Sequence, residues 1–262
     1  MTEHDSAGRP GGIRSAARTF DVIEELRRRE SAGVTELATH FDIAKSTAHD
    51  YLATLERRGY VVKEDDEYRL GIRFLQLGGH VRDTCELYRR LYATAKPEID
   101  KLADETGENV QMIIEEDGLG YILYQSRGNR SVMTDSHIGT EVYLHCTAVG
   151  KSILAHLPEE RVDRIVAEHG LPQKTENTVA DREELKAEFA KIHETGFAFD
   201  HEEQMSGMRC VARPIRTEDG EILGAMSVSG PTRRFNGERF ESELPELVRQ
   251  VTRMIELDVT YL

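Results

Sequence analysis

The chain has 262 residues, enough for two ordinary domains that each bury a hydrophobic core. It contains no apolar run of the roughly 18 residues that a membrane span needs and no signal-like start, so we expect a cytoplasmic protein without a membrane partner. Its three cysteines form no CxxC pair, which argues against a disulfide framework or a zinc ribbon.

The net charge of −14 would repel nucleic acid, but the charge is unevenly distributed. Residues 1–80 hold 12 Lys and Arg against 14 Asp and Glu, whereas residues 81–262 hold 22 against 34. The N-terminal part therefore remains a candidate for DNA binding. Arginine outnumbers lysine 26 to 8, and an acidic, lysine-poor composition is typical of a protein kept soluble at high salt, which suggests a halophilic source.

The first predicted elements follow a polar stretch, residues 1–12, that we expect to be a disordered arm. A helix then runs from about Ser15, a candidate cap, to Glu30, with an apolar stripe that includes Phe20 and Leu26. This helix would hold the first domain together.

The stretch from Val34 to Gly71 predicts two short helices, a tight turn and a two-stranded hairpin. Thr35 is placed to cap the first of these helices, and the second begins near Lys45 with apolar residues at the i, i+3, i+4 and i+7 spacing of one buried face. Gly59 is expected to end the second helix. This order describes a winged helix-turn-helix over residues 13–71; the alternative is a helical packing unit with no role in DNA binding.

Short or polar side chains occupy the outward face of the second helix near its N-terminus, where a recognition helix meets base edges and phosphates. We therefore expect DNA contacts from Lys45, Ser46, Thr47, His49 and Asp50, and from Arg18 in addition. Asp50 would accept a hydrogen bond from a cytosine amino group or orient a neighbour. The hairpin turn at residues 64–67 is entirely acidic and poorly suited to hold phosphates.

Residues 72–92 show a helical apolar pattern interrupted at Gly78 and Gly79, which predicts a linker helix that also serves as a dimer contact. Pro97 is expected to open a further helix that closes at Gly107.

Residues 93–262 predict an effector-binding domain with a mainly antiparallel sheet flanked by helices. One hairpin has strands at 110–114 and 120–124, and a second has strands at 210–215 and 222–229 joined by an Asp-Gly turn. The fold class expected for the whole chain is α+β.

Three ordered segments carry a more specific signal than the helix-turn-helix alone. They are AKSTAHDYLATLERRGYV, LHCTAVGKSILAHLP, and GFAFDHEEQMSGMRCVARPI followed by GAMSVSGP. In these segments the chain resembles transcriptional regulators of the IclR type. The resemblance covers nearly the whole chain and implies a winged head, a linker helix and a GAF-like effector domain. It also implies a homodimer or tetramer that binds operator DNA and is controlled by a small metabolite of catabolism, without a cofactor.

The resemblance also implies an effector pocket for a small carboxylic or sugar acid. Its residues in this chain would be Ala148, Val149, Asp200, Cys210, Ser227 and Ser229. Ala148 and Val149 would offer backbone N–H groups to an anion, and Asp200 would accept a hydrogen bond from a hydroxyl or hydrate group. Because Ser227 and Ser229 are two residues apart on a strand, they would point to one face. Ala148 and Val149 stand where the family often carries glycine, which would narrow the pocket.

An enzyme is the alternative class. A metal site or a Cys/His nucleophile would draw on His145, Cys146, Asp200, His201 and Cys210. The spacing is unfavourable, because His145 and Cys146 are adjacent and no HExxH or CxxC motif accompanies them. Lys151 stands in a GKS tripeptide, but the upstream glycine of a P-loop is missing. We therefore expect neither a metal nor catalysis.

Overall fold

The computed structural model describes residues 12–261 of the chain. They form two compact units, one up to Asp83 and the other from Thr84, and each has its own hydrophobic core. The arm predicted at residues 1–12 lies outside the described residues except for Gly12. Among the described residues, no helix is both long and apolar enough to cross a bilayer.

The N-terminal unit combines helices with a small antiparallel sheet. Its elements are α1 (Arg14–Arg29), β1 (Ser31–Gly33), α2 (Val34–His40), α3 (Lys45–Arg57), β2 (Val61–Glu64), β3 (Glu67–Leu70) and α4 (Arg73–Thr84). The sheet has the order β1-β3-β2, so the predicted hairpin gains a third strand, with Ala32 paired to Tyr68. This unit has the architecture of a winged helix-turn-helix.

Buried apolar residues from the helices and from the sheet hold this unit together. The core contains Val22, Leu26, Leu37, Leu52, Leu55, Val61 and Tyr68. The predicted end of α3 is confirmed, because Gly59 follows it with a φ of 76°. The predicted caps are wrong. Ile13, not Ser15, precedes α1 without a side-chain cap, and at the start of α2 the N–H of Gly33 donates to the Glu36 carboxylate at 2.8 Å.

The C-terminal unit is larger and is built on one sheet. Its elements are α5 (Glu86–Thr106), β4 (Asn109–Glu116), β5 (Leu119–Arg127), β6 (Glu141–Val142), α6 (Ala148–Leu154), α7 (Glu159–His169), α8 (Arg182–Thr195), β7 (Ala198–His201), β8 (Met208–Arg216), β9 (Ile222–Pro231) and α9 (Leu244–Tyr261). A short π-helix at Arg239–Glu243 leads into α9. Both predicted hairpins are present, β4–β5 and β8–β9.

The helices between the two units differ from the sequence expectation. Residues 72–92, predicted as one linker helix, are divided between α4 and α5, which are separated at Cys85. Pro97 does not open a helix but lies inside α5. The proline removes one backbone hydrogen bond, and the burial of Leu91 and Ile99 on either side of it stabilises the helix as a continuous element.

The six strands are all paired antiparallel, in the order β6-β5-β4-β9-β8-β7. One face of the sheet belongs to the core that includes α5 and α9. The other face belongs to a second core that includes α6, where Ile113, Ala212 and Ala225 are buried. Because side chains alternate between faces along each strand, residues two apart from these three also face α6.

Candidate DNA-binding surface and effector site

The five residues predicted on α3 are exposed together. Lys45, Ser46, Thr47, His49 and Asp50 all face solvent in the first two turns of the helix, while Ala48, Leu52 and Leu55 on the opposite side are buried. The His49 ring lies 3.9 Å from the Asp50 carboxylate. An N-terminal helix face of small polar and basic groups, backed by a packed core, is the form in which a recognition helix enters the major groove.

Arg18 is placed differently from these five. Its guanidinium lies 5.0 Å from the centre of the Phe41 ring and 3.8 Å from the Asp21 carboxylate. These contacts tie it to α1 and to the end of α2. Arg18 therefore presents a positive charge from another helix and does not extend the row on α3.

Two acidic side chains of the hairpin tip, which we call the wing, are hydrogen-bonded to other residues of the same unit. Arg69 Nε donates to the Glu64 carboxylate at 2.9 Å, and this hydrogen bond lowers the pKa of Glu64. The Ser31 hydroxyl donates to Glu67. Asp65 turns the chain with a φ of 54°. The wing remains an acidic surface, as the sequence predicts, and attracts phosphates poorly.

The effector residues predicted on strands lie in two neighbouring rows across the sheet. In the first row Asp200 pairs with Cys210, Cys210 with Ser229, and Ser229 with Asn109. In the second, Ser227 pairs with Gln111, which pairs with Gln125. Both rows face α6, and neighbouring strands are about 4.8 Å apart. These seven side chains form a surface that we call the polar floor.

The start of α6 brings backbone rather than side chains to the site. The side chains of Ala148 and Val149 are buried in the core, at 0% and 3% exposure. Thr147 caps the helix by accepting from the N–H of Gly150 at 3.1 Å. A Cβ at Gly150 would lie 2.1 Å from the Leu144 carbonyl oxygen, so close packing explains the glycine of the GKS tripeptide.

Lys151 is the main residue of this region that the sequence did not single out for a role. It is completely buried, and its Nζ lies 2.6 Å from Glu203 and 3.3 Å from Glu188. The backbone N–H of Glu203 donates to Asp200 at 2.7 Å. The ion pair therefore fixes the turn after β7 that positions Asp200.

Asn109, Gln111 and Gln125 were not predicted as site residues from the sequence either. The i, i+2 spacing of Asn109 and Gln111 at the start of a strand was the available signal, because it places two amides on one face. Their role depends on neighbours that are distant in the chain, since Asn109 Nδ2 donates to Ser229 Oγ at 3.1 Å across 120 residues.

Burial governs the acid–base chemistry of the site. It raises the pKa of Asp200 to about 7, and the nearby charge of Glu203 raises it further. Burial likewise raises the pKa of the Cys210 thiol to about 12. Asp200 is thus poised between its neutral and charged forms near neutral pH, whereas Cys210 stays a neutral thiol.

We expect Asp200 to make stability depend on pH. Its pKa is about 7 in the folded chain and about 3.9 when unfolded. Between these values the folded state binds more protons, so the free energy of unfolding falls as pH rises through this window, by up to about 4 kcal/mol. Asp200→Asn should flatten this dependence and be the more stable form at pH 8. Urea unfolding at pH 5 and pH 8 measures it; equal slopes for the two proteins would contradict the assignment.

The side chains of the enzyme alternative do not form a nucleophile pair. Burial raises the pKa of Cys146 to about 12, and its thiol donates to Gln204 Oε1 at 2.8 Å. His145 Nε2 lies 3.1 Å from the carbonyl oxygen of Pro172. Within residues 12–261, no group of three or more His, Cys, Asp and Glu side chains is arranged to hold a metal ion.

A winged head with an exposed recognition helix and a separate sheet domain together define a DNA-binding transcriptional regulator. Residues 15–65 match the IclR helix-turn-helix domain, and residues 88–257 match the bacterial transcriptional regulator IclR C-terminal domain. The chain belongs to the IclR family.

Relatives along the full length support this assignment. The chain is 33% identical over 254 residues to the probable HTH-type transcriptional regulator ArcR of Halobacterium salinarum, covering 95% of each. It is 28% identical to the HTH-type transcriptional regulator KdgR of Escherichia coli, over 100% of this chain and 98% of that one. The crystal structure of the Thermotoga maritima IclR superposes with a TM-score of 0.79 at 28% identity, over 95% of this chain and 100% of that one. The first two relatives are named as transcriptional regulators, which supports the regulator over the enzyme alternative.

Proposed function

We propose that the protein binds operator DNA through α3 and that a small carboxylic or sugar acid, bound over the polar floor beside the start of α6, changes its affinity for DNA. The protein would act in the cytoplasm, where its DNA target lies. Effector binding would bias the placement of two winged heads in a dimer, in the manner of a population shift.

The observation that carries the effector site is an unpartnered hydroxyl. Ser227 is 1% exposed, and its Oγ makes no hydrogen bond of normal geometry with the described residues, although it lies near the Cys210 thiol. A buried polar group left without a partner is costly, so a ligand bound over the polar floor would be stabilised by supplying a partner to Ser227. Asp200 and Cys210 lie on the same floor, and the N–H groups of Ala148 and Val149 are in the first turn of α6, where no intrahelical acceptor is available.

A distant relative gives the proposal further support. An IclR homolog from Microbacterium hydrocarbonoxydans has been solved in complex with 4-hydroxybenzoate, a small acid. It shares the fold of this chain, with a TM-score of 0.72 at 22% identity. We infer that the present chain binds an acid of its own in its C-terminal unit.

Self-association is the second element of the proposal. Exposed apolar side chains lie along α4 and immediately before it. Ile72 is 81% exposed, Leu75 is 72% exposed and Val81 is 55% exposed. Contiguous exposed apolar residues indicate an interaction surface. We propose that a second copy of the chain covers them, which gives a homodimer and allows a tetramer. Sedimentation of the purified protein tests this directly.

Ser227→Ala separates a ligand-binding serine from a structural one. Because the hydroxyl has no partner, its removal should change the free energy of unfolding by less than about 0.5 kcal/mol, yet weaken effector binding about tenfold. Ser152→Ala is the matched control, since Ser152 is also fully buried with an unpartnered hydroxyl but lies outside the polar floor.

The measurements are a thermal-shift screen of small organic and sugar acids and the operator affinity with and without each acid. Asp200→Ala should abolish the response to the effector, while the exposed Asp104→Ala should keep it. If no acid shifts the melting temperature or the operator affinity, the proposed site is wrong.

A further inference from the structure

The half of the polar floor that lies away from Asp200 is made of uncharged amides. Gln125 lies 2.7 Å from Asn109 Oδ1, and the amides of Gln111 and Gln125 lie 3.1 and 3.2 Å from Ser136 Oγ. Gln111, Gln125 and Ser136 are half-buried, so they remain accessible to a ligand. The next residue along β4 on this face is Ile113, which is 1% exposed. The floor therefore changes from apolar to amide within two residues.

Amide side chains select for particular ligand groups. Each offers two N–H donors and a carbonyl acceptor without a net charge. Hydroxyl groups, which both donate and accept, can join the hydrogen bonds that these amides make with one another and with Ser136, whereas a methyl group or an aromatic face offers neither a donor nor an acceptor. The unpartnered Ser227 hydroxyl beside Gln111 extends the same preference.

Lys174 lies on a segment that is attached to the turn after β7. It is half-buried, and its Nζ lies 4.5 Å from the centre of the Tyr143 ring. The adjacent Thr175 hydroxyl donates to the carbonyl oxygen of Glu202 at 2.7 Å, in the turn that follows β7 and its Asp200. Lys174 also acts electrostatically on the thiol of Cys146, two residues before α6. Its charge is therefore close to the start of α6.

Lys174 has no counter-ion within the protein. The other lysines of the C-terminal unit each lie within 4 Å of a carboxylate; they are Lys96, Lys101, Lys151, Lys186 and Lys191. Among the described residues, Lys174 has no carboxylate at that distance. In a chain with a net charge of −14, a half-buried lysine without a carboxylate partner is available to pair with an anionic ligand.

We propose that the effector is a polyhydroxylated carboxylate, with its carboxylate paired to Lys174 and its hydroxyl groups bound by Asn109, Gln111 and Gln125. The inference rests on the proposed function of the same site and narrows its ligand from small acids in general to hydroxylated ones. A short keto acid has no hydroxyl chain to join the hydrogen bonds of the amides, and an uncharged polyol would leave Lys174 without a counter-ion.

The test measures binding to the full-length protein by calorimetry and thermal shift. The probes are three aldonates that differ in stereochemistry or length (gluconate, galactonate and xylonate), sorbitol as a polyol without charge, and pyruvate and 4-hydroxybenzoate as acids without the hydroxyl chain. At least one aldonate should bind about tenfold or more tightly than pyruvate, 4-hydroxybenzoate and sorbitol.

Two variants assign the contacts. Lys174→Met should weaken binding of the best aldonate about tenfold or more, and the exposed Lys101→Met, which removes the same charge from α5, should not change it. Gln111→Leu with Gln125→Leu should remove the preference for the aldonate over pyruvate. The selectivity of the unaltered protein is a test that does not depend on these variants folding.

The unfavourable outcomes are distinct. If pyruvate or 4-hydroxybenzoate binds as tightly as the best aldonate, the present inference is overturned while the proposed acid-binding site stands. If sorbitol binds equally well, the role of Lys174 is overturned. If no acid of either kind binds, the proposed function itself fails.

Discussion

Replacing Lys45 and Thr47 together with alanine is expected to lower operator affinity about 100-fold. Both side chains are exposed at the N-terminal end of α3. A specific base contact contributes about 1–3 kcal/mol, and two contacts of this size correspond to roughly that change in affinity. The variant should stay folded, because alanine favours a helix and neither side chain contributes to the core.

Fluorescence anisotropy with operator DNA at several salt concentrations measures the effect. Loss of the Lys45 charge next to the phosphate backbone should also reduce the slope of log affinity against log salt, by up to about 1. Lys63→Ala is the matched control, since it removes the same charge from an exposed position on the wing. If Lys63→Ala weakens binding as much as the double variant does, the wing and not α3 carries the main contacts.

The acidic wing is the reason why we expect α3 to make the main contacts with DNA. Glu64 is held by Arg69, and Glu67 accepts from Ser31, so the arginine that would serve a phosphate is engaged within the wing. Asp50, at 85% side-chain exposure, adds another negative charge next to the predicted DNA surface. We therefore expect binding to depend on directional base contacts more than on attraction to the DNA backbone.

Much of the fold was predictable because local patterns determine it. The end of α3 at Gly59 and the hairpin β8–β9 followed from a glycine signal and an Asp-Gly turn. The three-residue strand β1 was missed because it is too short to show a pattern. The helix start predicted at Pro97 was wrong for a different reason. The tertiary packing of α5 outweighs the local helix-breaking effect of the proline. The halophilic source inferred from composition stays a prediction.

The candidate site was less predictable from local patterns. Asp200, Cys210 and Ser229 were placed on one site by resemblance alone, and the strand register is what aligns them in a row. Asn109 joins this site because its amide donates to Ser229, which is 120 residues away in the chain. Burial of Lys151 could not be foreseen either, because a lysine is seldom fully buried and its partners come from separate segments.

Lys151→Met is expected to lower the free energy of unfolding by about 3–5 kcal/mol. The substitution keeps the volume of the side chain but leaves Glu203 without its cation. Glu203 is 4% exposed, and its Oε2 already has no hydrogen-bond partner among the described residues. An unpaired charge at such a position has no access to water, and neighbouring Asp200 carries charge of the same sign when ionised.

Urea unfolding at pH 8 measures this loss, with Lys191→Met as the matched control. Lys191 pairs with Glu188 at 2.7 Å on the surface, and such a pair contributes less than about 1 kcal/mol. Adding Glu203→Gln to Lys151→Met should recover most of the lost stability, because it removes the buried charge. A Lys151→Met protein as stable as Lys191→Met would show that the ion pair is not a structural requirement.

Lys151→Met should also weaken effector binding, even under conditions in which the protein stays folded. Asp200 accepts a hydrogen bond from the N–H of Glu203, and Glu203 is fixed by Lys151. Loss of the ion pair frees the turn after β7, so Asp200 should lose its orientation over the polar floor. The Lys151→Met/Glu203→Gln protein should therefore regain stability without regaining effector affinity, because charge balance is restored but the contact that positions the turn is not.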